Sequence, residues 1–138
     1  MQIDILNLTR EKFYIDKNKL QRHIYLIVKL LKIKSIKLNV YFINEKMMRK
    51  LNKSFFKKNY STDVLTFNLG DTKDILAELF ICLKVAKRNA VLYNNPFLKE
   101  ILLYIIHGIL HILGFDDRTK KQKNLMEKKQ EEILKKII

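Results

Sequence analysis

Phe97-Leu98-Lys99-Glu100-Ile101-Leu102-Leu103-Tyr104-Ile105-Ile106-His107-Gly108-Ile109-Leu110-His111-Ile112-Leu113-Gly114-Phe115-Asp116-Asp117 is the most informative stretch of the chain. From Phe97 to Leu113 apolar side chains fall on nearly every face of a helical period, which predicts a helix buried among other elements. The run Ile101–Leu113 carries no acidic or basic residue other than two histidines. At thirteen residues it is too short and too polar to span a bilayer. Asn95 can cap this helix with Pro96 at its first position, and Gly114 can end it.

Working outward, the segments on either side must supply what that helix packs against. Upstream, Ile3 and Ile5 alternate with polar residues and, after a one-residue phase shift, Leu6 and Leu8 flank Asn7, which predicts a strand with a bulge at the shift. After Asp16 and Asn18, either of which can cap, Leu20, Ile24, Ile27 and Leu31 recur at helical spacing. Ile36, Leu38, Val40 and Phe42 alternate as a second strand, and Asn44 can cap a short helix with Met47, Met48, Leu51 and Phe55 facing inward. Thr62–Leu69, a turn at Gly70-Asp71 and Ile75–Cys82 read as an antiparallel hairpin. Lys84–Leu92 reads as a helix, and Thr119 can cap a last one whose apolar stripe is Leu125, Met126, Ile133 and Leu134.

The whole chain, 138 residues and 48% apolar, has the size and composition of one domain with a single core, assigned to residues 1–138. Three glycines and one proline argue against disorder and linkers. A lone cysteine, Cys82, has no internal disulfide partner, and Asp4 and Asn7 interrupt any leader-like run at the start, so a reducing cytoplasm is the expected location. Lys and Arg exceed Asp and Glu by 28 to 14, a net charge of +14 that favours anionic partners such as RNA. AT-rich coding produces the same Lys- and Asn-heavy composition, so the charge carries supporting weight only.

The chemistry lies at the end of the core helix. His107 and His111, four residues apart, project from one face and can share a metal ion. After the glycine turn, Asp117 is placed to complete a set of three donors, leaving a fourth zinc position for a water of lowered pKa. The alternative for the histidines is that they are hydrogen-bonded core residues. A zinc peptidase of the HExxH kind needs Glu directly after the first histidine as general base, where this chain has Gly108. Among the other candidates, His23 lies among lysines on the first helix and reads as a surface residue, and Cys82 as a small core residue.

His107, Gly108, Leu110, His111, Gly114, Phe115 and Asp116 match the pattern H-G-x-L-H-L-x-G-Y/F-D-H, and Thr62-Asp63-Val64-Leu65-Thr66-Phe67 matches T-D-V-L-S/T-F. On these two motifs, together with Leu51-Asn52, Ala77-Glu78-Leu79 and the last helix with Met126 and Glu127, the chain resembles the YbeY-like endoribonucleases from Phe42 onward. The resemblance implies a compact α+β domain, with a small mixed sheet packed by helices and one zinc ion between the buried helix and the loop after it. It also implies action on single-stranded RNA in ribosomal RNA processing and ribosome biogenesis, with ribosomal RNA and the small ribosomal subunit as partners.

Two positions depart from that family. Its third ligand is a histidine where this chain has Asp117, and a carboxylate there adds negative charge to the site. Asp116 is then a supporting or turn-forming carboxylate, with the roles of Asp116 and Asp117 open to exchange. The family's functional arginine falls at Phe56, which cannot stabilise charge on a phosphate. Lys57 or Lys58 is the candidate to supply that cation, and Lys53, Lys57 and Lys58 are candidates to bind the RNA backbone. Two further readings are a ribosome-associated RNA-binding factor with a structural metal, and a metal-dependent hydrolase of another substrate. The basic face of the last helix, Lys120, Lys121, Lys123, Lys128 and Lys129, is either an RNA contact or solvated.

Overall fold

Alternating apolar residues build the two central strands, Ser35–Ile43 and Asp74–Cys82. Each strand presents one set of side chains to each side of the sheet. The computed structural model describes all of Met1–Ile138 in the order β1 (Gln2–Asn7), α1 (Lys17–Leu30), β2 (Ser35–Ile43), α2 (Glu45–Phe56), β3 (Val64–Asn68), β4 (Asp74–Cys82), α3 (Leu83–Leu92), α4 (Phe97–Ile112) and α5 (Lys120–Ile137). The sheet runs β1-β2-β4-β3. β1, β2 and β4 pair in parallel, and β3 returns antiparallel on β4 as the edge opposite β1. The result is a single α+β unit with a small mixed sheet, as expected, and the Thr62–Cys82 hairpin forms as read.

The two faces of β4 show how the layers are filled. Ile75, Ala77, Leu79 and Ile81 join the larger core, where α1, α4 and α5 contribute Leu20, Ile24, Ile27, Ile101, Ile105, Ile109, Met126 and Ile133. Cys82 faces the other way, into a small cluster with Ile43, Met48 and Leu65 under α2, and Phe80 packs against that cluster. α4 is the core helix of the sequence reading: ten of its sixteen residues are buried. No helix is long and apolar enough to cross a membrane.

Several local expectations are corrected. β1 pairs with β2 in an unbroken register from Gln2 to Asn7, so the phase shift does not create a bulge. Leu6 and Leu8 are simply exposed. In α2 the buried residues are Met48 and Asn52, while Met47 and Phe55 are exposed, because the helix packs mainly on β4 and α3 and buries a narrower stripe than the sequence offers. Leu125 likewise faces solvent, and Ile137 takes its place in the core. Pro96, in extended conformation, is itself the N-cap of α4. Asn95 instead donates to a carboxylate oxygen of Glu100, four residues into that helix. The caps at Asp16, Asn44 and Thr119 form, the last as a full capping box with Gln122.

Candidate metal centre

The end of α4 sets the geometry. Leu113 caps it and Gly114 follows at φ +99°, a conformation that disfavours side chains bearing a Cβ. The Gly114 N–H donates to the His111 carbonyl at 3.0 Å, and the Phe115 N–H to the Leu110 carbonyl at 3.0 Å. This pair of bonds is a Schellman closure, and it turns the chain back across the helix end. Phe115 packs on the core while the next residues pass over the histidines. Asp116 stays outside: one oxygen accepts the Asp117 N–H at 2.8 Å and the other meets the Arg118 guanidinium at 2.9 Å. Asp117, although the more exposed of the two, faces the histidines.

The structure brings His107, His111 and Asp117 together. The two Nε2 atoms stand 3.0 Å apart, and one Asp117 oxygen lies 3.7 Å from each. Donors on a tetrahedral zinc ion at about 2.0–2.2 Å stand roughly 3.4 Å from one another, so this triangle has the size and the donor chemistry of a three-ligand site. All three side chains are partly exposed, which leaves room for a further ligand. Asp117, and not Asp116, meets the histidines.

His107 is oriented from behind. Its Nδ1 lies 3.1 Å from Oε1 of Gln130 on α5, an acceptor that holds the proton on Nδ1 and leaves the Nε2 lone pair facing the cluster. The sequence reading missed Gln130. A signal was available, since Gln130 interrupts the inward stripe of Met126, Ile133, Leu134 and Ile137 at helical spacing. Gly108 also has a local reason: a Cβ there would come within 2.6 Å of a Leu79 methyl and 3.1 Å of the Thr66 hydroxyl. The residue after the first histidine thus faces the sheet and not the cluster, so a glutamate at 108 would have no room.

The histidines form one wall of a cleft of about 460 Å³, and the edge strand and the segment before it form the other through Thr62, Asp63, Val64, Leu65, Thr66 and Asn68. Asp63, to which the sequence reading gave no role, braces its own loop by accepting the Val64 N–H at 2.7 Å. Phe56 also lines the cleft. A second recess behind His107 is lined by Asp63, Glu100, Tyr104, Glu127, Gln130 and Glu131. Burial holds the Tyr104 phenol well above its ordinary range. A hydrogen bond from Asn89 works against this and Glu100 adds to it, so Tyr104 remains a neutral partner.

The loop between α2 and β3 carries the basic candidates. Buried Asn52 donates to the Tyr60 carbonyl at 2.9 Å and ties the loop down. Lys57 adopts a left-handed conformation (φ 55°) at the helix end. Lys53, Lys57 and Lys58 are exposed and none of them lines the cleft, while Phe56 is the residue of that stretch that does. His23 is half-buried on α1, bonded to the Lys19 carbonyl within its own helix, and does not join the cluster. Cys82 is a buried core residue with a free thiol.

Comparison with known proteins gives a consistent picture. A family profile described as Endoribonuclease YbeY matches residues 5–138. A protein named Endoribonuclease YbeY from Elusimicrobium minutum is 39% identical over 104 residues, covering 72% of this chain and 73% of its own. Another of that name, from Chlorobium phaeovibrioides, is 29% identical over 134 residues, 97% of this chain and 89% of its own. The solution structure of a Thermotoga maritima protein superposes with a TM-score of 0.70 at 30% identity, covering 99% of this chain and 89% of that one.

Proposed function

The chain belongs to the Endoribonuclease YbeY family, and on that premise we propose that it is a zinc-dependent endoribonuclease acting on single-stranded RNA, with residues 1–138 as one catalytic domain. The observation that carries this reading is the convergence of His107, His111 and Asp117 on one wall of an open cleft. A zinc ion held by these three residues would supply Lewis acidity toward a phosphoryl oxygen and an acidified water at its open position.

The chain's own residues do the rest. Gln130 fixes the His107 tautomer, and Asp116 with Arg118 fixes the approach of Asp117. Lys53, Lys57 and Lys58 bind the RNA backbone, and Lys57 or Lys58 offers a point charge to the phosphate undergoing cleavage in place of the family's arginine. Ribosomal RNA processing in the cytoplasm, at the small ribosomal subunit, is the setting that the resemblance implies.

Cleavage of a single-stranded oligoribonucleotide tests the reading. Activity should disappear with chelator, return with zinc and be absent in His111→Ala. Binding without cleavage under every metal condition would instead favour an RNA-binding factor with a structural metal.

A further inference from the structure

The C-terminal end of α2 leaves two neighbouring phenylalanines in water, Phe55 at 63% and Phe56 at 44% exposure. Folding does not explain them, because α2 packs through Met48 and Asn52. Both rest on Phe67 of the edge strand. Phe55 meets it edge-on with ring centroids 5.1 Å apart, and Phe56 lies tilted at 5.7 Å. Phe67 in turn meets Phe80 edge-on at 5.6 Å, and Phe80 stacks on Tyr41 at 4.9 Å. The lower rings are partly buried, so they support the upper pair from within the small core under α2.

Contiguous exposed apolar surface rimmed by polar residues marks an interaction site. Phe56 also lines the cleft that holds His107 and His111, so whatever covers the pair lies beside the proposed site of cleavage. Lys53, Lys57 and Lys58 neighbour the two phenylalanines in sequence and are exposed. Exposed π faces in a stretch that also carries three exposed cations match an occupant that alternates flat rings with negative charge, and single-stranded nucleic acid has that chemistry.

We propose that Phe56, with Phe55 and supported by Phe67, is a stacking platform for an unpaired base next to the phosphate that is cut. This rests on the ribonuclease reading and assigns the discrimination against paired strands to one named ring beside the cleft. A base held in a duplex has no free face to offer.

The test is a fluorescence titration of the full chain with a single-stranded phosphorothioate oligoribonucleotide carrying 2-aminopurine, alongside an abasic strand of the same length. Stacking quenches the 2-aminopurine, and Phe56→Ala should lose the quench and weaken binding roughly 5- to 150-fold. Phe56→Trp should retain both, whereas Phe56→Leu should behave like the alanine variant. Binding of the abasic strand should be unchanged by any of the three. Binding by Phe56→Ala equal to that of the unaltered chain overturns the platform and leaves the ribonuclease reading standing. Full binding by Phe56→Leu overturns stacking in favour of plain apolar contact. Failure of the unaltered chain to bind either strand overturns both the platform and the RNA reading.

Discussion

Gly108 and Asp117 carry the most specific demands at the scale of single residues. Any side chain at 108 meets Leu79, which is buried and cannot swing aside. Gly108→Ala should therefore destabilise the fold by about 1–2 kcal/mol, the overpacking penalty outweighing the helix propensity gained. A lower urea midpoint with unchanged slope is the expected readout. Asp117→His, which supplies the histidine that the resemblance implies, should keep the metal while removing one negative charge. The acid limb of the cleavage profile should then move to lower pH, because a less negative donor set makes the attacking water easier to ionise. The histidine spacing was legible because four residues make one helical turn. The choice between Asp116 and Asp117 was not, since it depends on Asp116 being drawn off by Arg118 and by the next backbone N–H.

Pairing between elements decides how well the site is held. α4 presents the histidines, but α5 supplies the Gln130 acceptor that orients one of them. Gln130→Ala should weaken zinc binding about 10- to 100-fold with little loss of stability, measured by competition with a chromophoric chelator. Most caps and turns were readable from the sequence because their chemistry is local, as at Asp16, Asn44, Gly114 and Thr119, whereas Asn95 binds Glu100 and leaves Pro96 as the cap of α4. The inward faces of α2 and α5 were read less well. Apolar periodicity overstates the buried stripe when a helix is covered on one side only, and so Met47, Phe55 and Leu125 were placed inside although they face water.

Over the whole molecule, strand order was beyond periodicity. β4 inserts between β2 and β3, and pairing across such separations leaves no local mark. The charge, by contrast, was plain from composition, and its use depends on where the fold gathers it. Replacing Lys53, Lys57 and Lys58 together by alanine should lower the slope of log affinity against log salt by about two for a single-stranded RNA, since each phosphate left without its lysine removes roughly 0.7. An unchanged slope would move the RNA path to another basic face, such as that of α5.

Metal content by elemental analysis, compared between the unaltered chain and Asp117→Ala after both are offered zinc, bears on the proposed site without reference to any substrate. Roughly one zinc per chain that falls sharply in the variant is the expected result for a site of two histidines and one aspartate. A chain that takes up no zinc, or a variant that retains it in full, would contradict that assignment.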